Sequence, residues 1–107
     1  LSEMITDVND NENELPIDFI LLQNYPNPFN PSTTISFQLP ASSNVTLKVY
    51  DILGNEVATL SDEYKPAGSY QVDFNTSSIK YQTSSGIYFY RLQAGDFIQS
   101  KKMILLK

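Results

Sequence analysis

The chain has 107 residues, 41% of them hydrophobic, and a net charge of −5 at pH 7, which suits one folded domain and leaves no room for a second large core. It holds no Cys, His or Trp, which excludes disulfide staples, Cys/His zinc sites, thiol nucleophiles and any Ser-His-Asp arrangement within it. Its longest apolar runs, Phe19–Leu22 and Met103–Leu106, fall far short of the ~20 residues of a membrane span, so no membrane insertion is expected.

The acidity is local. Residues 1–18 carry six acids (Glu3, Asp7, Asp10, Glu12, Glu14 and Asp18) and no base, whereas residues 19–107 set six acids against seven bases, a net of +1. The first stretch is polar and without period, and reads as an acidic flexible linker ahead of a domain spanning 19–107. No basic n-region followed by a long apolar run opens it, so no uncleaved signal peptide is expected there. Asp7, Asn9, Asn11 and Asp18 fall on a calcium-loop frame, but Glu12 stands where that loop needs Gly and the last ligand is Asp instead of Glu, so the linker reading wins.

From residue 19 the apolar period is close to two. Phe19–Asn24 is a possible first strand. Tyr25–Pro31 (YPNPFNP) cannot form a central strand, because its three prolines fix φ and remove donors. Two readings stand for it: an edge-strand opening that blocks edge pairing, with Tyr25 and Phe29 tucked onto the core, or a rigid proline/aromatic surface for a partner. Thr33–Leu39, Val45–Tyr50 and Ser69–Asn75 alternate cleanly, and predict Ile35, Phe37, Leu39, Val45, Leu47, Val49, Tyr70, Val72 and Phe74 inward. Asn55–Leu60 is a weaker strand. In Gly86–Ala94 the charge of Arg91 predicts that Tyr88, Tyr90 and Leu92 face the core; Phe97–Lys107 is a strand whose facing the pattern leaves open. The hairpin signal Ala94-Gly95-Asp96 joins these last two. No helical period outlasts one turn. About seven short strands at ten-residue spacing predict an all-β, immunoglobulin-like antiparallel sandwich.

No constellation for catalysis emerges. Asp51 and Glu56 flank a turn, Asp62 and Glu63 read as loop residues, and Asp73 lies on a polar strand face, where such residues serve turns and solvation. No lysine sits in an apolar run with a usefully spaced Ser, and no phosphate-loop, dinucleotide or metalloprotease motif occurs. Asn44-Val-Thr46 and Asn75-Thr-Ser77 match the N-glycosylation pattern, which arises easily by chance. Neither an enzyme, a cofactor nor a metal site is expected. After Asp96 the charges are Lys101, Lys102 and Lys107 alone, too few for a nucleic-acid footprint, so nucleic acid is not an expected partner.

Four ordered blocks carry a resemblance: LLQNYPNPFNPSTTISFQLP (21–40), VTLKVYDILGNEVATL (45–60), AGSYQVDFN (67–75) and SGIYFYRLQAGDFIQSKKMILLK (85–107). Over about 19–107 the chain resembles the C-terminal sorting domain of type IX secretion cargo, the Por secretion tail, type A. The resemblance implies a non-catalytic domain that directs an upstream cargo, joined in cis, through the outer-membrane type IX translocon. It also implies passage through the periplasm, removal by a sortase-like peptidase or use in surface anchoring, and a secreted or cell-surface location. A related immunoglobulin-like repeat that caps flagellar hook assembly shares the Val49-Tyr50-Asp51-x-x-Gly54 turn. With the resemblance included, partner recognition is expected at Lys101, Lys102, Met103, Leu105 and Lys107, where strand addition could bind the last strand's edge, and at Pro26, Asn27, Pro28 and Phe29. Two other readings remain: a binding module of a secreted enzyme or adhesin, against which the lack of Trp and the isolation of Tyr64 and Tyr81 weigh, and a spacer domain. A terminal signal, unlike a spacer, is expected to tolerate nothing after Lys107.

Overall fold

Alternating side chains can bury one face of a strand only if a second sheet covers it, and that requirement organises the molecule. The computed structural model describes residues 16–78 and 84–107. Its strands are β1 (Ile20–Leu21), β2 (Ser32–Leu39), β3 (Ser43–Tyr50), β4 (Glu56–Lys65), β5 (Gly68–Asn75), β6 (Gly86–Ala94) and β7 (Phe97–Leu105). One 3-10 turn, Thr76–Ser78, is the only helical piece among the described residues. The strands pair antiparallel in two sheets, ordered β1-β2-β5 and β4-β3-β6-β7. The chain crosses between sheets from β2 to β3, from β4 to β5 and from β5 to β6, as in an immunoglobulin-like sandwich.

The inward-facing residues follow the alternation. Ile35, Phe37 and Leu39 of β2, Leu47 and Val49 of β3, and Tyr90 and Leu92 of β6 are all fully buried. Phe74 of β5 joins them, while Tyr70 and Val72 pack partly buried against the cluster. On β7 the odd-numbered residues face inward, and Met103 and Leu105 are fully buried.

Several elements differ from the sequence expectation. β1 is only two residues long, because the chain leaves the ladder at Leu22 to reach the proline segment. β4 runs on to Lys65, so Asp62, Glu63 and Tyr64 lie on a strand and not in a loop. The second half, Ser61–Lys65, pairs in unbroken register with Ser43–Leu47 but is largely polar, so no apolar alternation marks it as a strand; the two register shifts lie in the first half. Tyr25 is 81% exposed, not tucked onto the core: its backbone pairs with Thr34 while the ring points away. Tyr81 and the residues Asp7, Asn9 and Asn11 of the calcium-loop frame lie outside the described residues.

Register defines two poles. At the near pole Ala94 pairs with Phe97 across the Gly95–Asp96 hairpin, and Leu39 pairs with Gly68. Gly95 has φ +59°, as a tight hairpin with Gly at its first central position requires. The chain enters the domain here, with Phe19 stacked on Phe97 at 5.2 Å. At the far pole Ser32 pairs with Asn75 and Gly86 with Leu105. The nine residues of β7 separate the poles by roughly 30 Å.

Candidate recognition surface

The proline segment cannot contribute to a regular ladder, so side chains hold it in place. Asn24, almost fully buried, is its base. Its backbone N–H donates to Tyr90 Oη (2.8 Å), and its Nδ2 donates to Thr33 Oγ1 (3.0 Å) and to the Pro26 carbonyl (3.2 Å). Thr33 Oγ1 in turn donates to the same carbonyl at 2.8 Å, and Tyr90 Oη donates to the Leu22 carbonyl at 2.6 Å. Desolvation pushes the Tyr90 phenol up to about 12, partly offset by the Asn24 N–H, so the hydroxyl stays protonated and able to donate. Every member of this buried group has a partner, which is the condition for a polar cluster to hold a core together. Sequence reasoning missed it. The available signal was a polar residue, Thr33, at an inward-facing position of an otherwise apolar strand face.

From this base the segment runs along the outer edge of β7. Gln23 Nε2 donates to the Lys102 carbonyl (2.8 Å), and the Ile104 N–H donates to Asn27 Oδ1 (2.9 Å). The Phe29 N–H donates to the Ile104 carbonyl (2.9 Å), and the Leu106 N–H to the Phe29 carbonyl (3.0 Å), making a short parallel bridge. Phe29 drives its ring into the core, 2% exposed and edge-on to Phe74 at 5.9 Å. The edge of β7 from Lys102 to Leu106 is therefore filled by the chain's own residues. Strand addition there would first have to displace residues 23–29.

Of the nine residues singled out in the sequence, those of the proline segment and those of the chain's end from Lys102 onward come together toward the far pole, whereas Lys101 lies at the middle of β7 opposite Tyr90. Pro26, Asn27, Pro28, Lys102 and Lys107 are exposed, and Lys101 is half-buried on the inward side of β7. The side chains of Phe29, Met103 and Leu105 are core, so in the folded domain they position the surface without presenting themselves on it. The Lys107 N–H donates to Ser85 Oγ (2.8 Å), which ties the last residue to the start of β6.

The carboxylates are engaged separately. Asp51 accepts from the Asn55 and Leu53 N–H groups, and the Asn55 bond first of all holds its carboxyl below the usual range. Glu56 is likewise lowered, mainly by the Thr59 hydroxyl and then by Lys48 at 3.3 Å. Asp73 accepts from Thr34 Oγ1 on the outer face of the three-stranded sheet. No group of metal-ligating side chains occurs among the described residues, and no helix there is long and apolar enough to cross a membrane.

No curated protein matches the chain in sequence. The model of the secretion system C-terminal sorting domain matches residues 23–106, a span that opens at Gln23, the first residue laid on β7, and closes at Leu106, the last to bond Phe29. Matched over most of its length, and folded as a β-sandwich, the chain belongs to the family of type IX secretion C-terminal sorting domains.

Proposed function

We propose that residues 19–107 act as a non-catalytic sorting signal that carries an upstream cargo through the outer-membrane type IX translocon from the periplasmic side. Residues 1–18 serve as the linker within which a sortase-like peptidase separates signal from cargo or prepares the cargo for surface anchoring. The observation that carries this reading is the placement of the far-pole assembly. The proline segment and the last strand are knit into one surface at the pole opposite Phe19, so a cargo attached upstream leaves that surface uncovered. Lys102, Lys107, Pro26, Asn27 and Pro28 supply its accessible contacts, Phe29, Met103 and Leu105 hold them in place from the core, and half-buried Lys101 contributes charge beside them.

The test separates folding from export. The chain is fused behind a reporter in a host with type IX secretion, and melting temperature and export are both measured. Lys101→Ala/Lys102→Ala and removal of Leu106 and Lys107 are expected to leave a folded domain that is not exported. Removing a third residue is less informative, because Leu105 is fully buried and its loss unfolds as well as unmarks the domain. Normal export of the folded variants overturns the reading.

A further inference from the structure

The Asp51–Asn55 turn breaks a local rule. The Gly54 N–H donates to the Asp51 carbonyl (3.0 Å), so Asp51 and Gly54 occupy the first and last positions of a four-residue turn, as their residue types favour. The two central positions, which ordinarily carry polar residues, hold Ile52 and Leu53, 65% and 82% exposed. Nothing about the turn is loose. The Asp51 N–H donates to the Asn55 carbonyl, and the Asp51 carboxylate accepts from two backbone N–H groups and from Asn55 Nδ2. Gly54 at φ +90° supplies the left-handed residue that closes it. Two aliphatic side chains are therefore held in water on a preorganised tip, which lowers the ordering cost of binding something apolar.

Their surroundings extend the apolar surface. Ile52 and Leu53 line one depression together with Val57 and Ile87 and with the acids Asp51 and Glu56, and Ile52 also borders a second one with Tyr50, Phe89 and Arg91. On the outer face of the four-stranded sheet Ile87 pairs with Ile104, and Lys102, Phe89 and Tyr50 lie in one cross-strand row. Cations border this patch. Arg91 stacks on Tyr50 at 5.2 Å and donates to its hydroxyl, and neither Arg91 nor Lys102 pairs with an acid among the described residues. An apolar centre with a charged rim is the anatomy of a protein interface.

We propose that this tip and sheet face are a docking surface for a protein partner that offers an apolar pocket to Ile52 and Leu53 and acidic groups to Arg91 and Lys102. The proposal rests on the sorting-signal reading and names a second contact at the same pole. A second copy, which would bring its own Asp51 and Glu56 to Arg91 and Lys102 across a two-fold contact, is the competing occupant that the experiment separates. An anionic lipid surface fits poorly, because Asp51 and Glu56, both held ionised, sit at the tip that would have to enter it.

The experiment uses the full chain fused to a reporter in a type IX-competent host. Ile52→Ser/Leu53→Ser, with Leu53→Ser alone as the milder variant, is expected to keep the melting temperature and to lower export about tenfold or more, as loss of an interface anchor does. Ile52→Leu/Leu53→Met keeps export. Arg91→Glu lowers export in a folded domain. Wild-type export by folded serine variants overturns the anchor, and wild-type export by folded Arg91→Glu overturns the acidic complement. If the unsubstituted chain itself fails to export the reporter, the sorting-signal reading falls, and this proposal with it. Concentration-dependent dimerisation abolished by the serine variants, or binding to phosphatidylglycerol vesicles abolished by them, with export intact, overturns the proposal in favour of that occupant.

Discussion

The two edges of the four-stranded sheet solve one problem in different ways. An exposed strand edge offers unpaired N–H and C=O groups to any passing strand. On β7 the edge is covered: Gln23, Asn27 and Phe29 bond it at Lys102, Ile104 and Leu106. On β4, among the described residues, the edge takes no cover of that kind. Its pairing with β3 shifts register twice, and the strand carries Glu56, Asp62 and Glu63. The difference follows from sequence. Met103–Leu106 is an uncharged apolar run, the kind of segment that pairs with itself when left open. The second half of β4, Ser61–Lys65, carries charge and needs no lid.

That contrast is open to direct attack. The largest effect is expected from Phe29→Ala, which empties a core position and loosens the cover together. Chemical denaturation should show a loss of about 3–5 kcal/mol, with self-association rising as the β7 edge opens. A loss near zero would mean that the cover does not depend on the ring.

Tyr90→Phe removes the hydroxyl that satisfies the Asn24 N–H at the base of the cover, and should cost about 1–3 kcal/mol. It also has a pH signature. The phenol is pushed up to about 12 in the folded chain, against about 10 when unfolded. The folded state therefore keeps its proton where the unfolded chain has released it. This contribution to stability is complete below pH 10, falls as pH rises to about 12, and levels off above. Melting temperatures of the wild type and Tyr90→Phe should converge across that window.

Gly95→Val probes how β7 is set against β6. With φ +59° at that position, strain should cost about 1–3 kcal/mol in a thermal melt. No atom beyond the adjoining residues lies within 4 Å of a Cβ there, so the backbone conformation, not a clash of the Cβ with the rest of the fold, is the source of the cost. The smallest effect on stability is expected on the open edge. Asp62→Val/Glu63→Val should shift unfolding by less than about 1 kcal/mol, since exposed ion pairs such as Glu63–Lys65 are weak. Light scattering should nonetheless rise, because the charges guard an edge without holding up the fold.

Much of the sandwich was legible because period two survives wherever one face is buried. Ile35/Phe37/Leu39 and Val45/Leu47/Val49 face as their alternation demands, and Tyr88/Tyr90/Leu92 face inward as the charge of Arg91 on the other face requires. β7 resisted because both its parities are apolar: Phe97, Met103 and Leu105 compete with Ile98, Ile104 and Leu106. Contacts far away in sequence break the tie, Phe19 stacking on Phe97 and Phe29 bridging to Leu105. The same limit hid the junction of the proline segment with the last strand. Each piece was visible as unusual, but the hydrogen bonds that join them span 75 to 79 residues, and no local pattern encodes such a pairing. Asn24 was passed over because it looks like one more turn former beside a proline.

That long separation has a consequence in time. A chain made from its first residue onward has Gln23 and Asn27 ready almost eighty residues before their partners on β7 exist. Closing so long a loop is slow, and the entropy is spent before the bonds reward it. The early segment therefore waits, and the domain locks only when its last strand arrives. Until then residues 23–29 and β7 are two loose ends of an unfinished fold, and a ribosome still holding β7 holds the whole domain open.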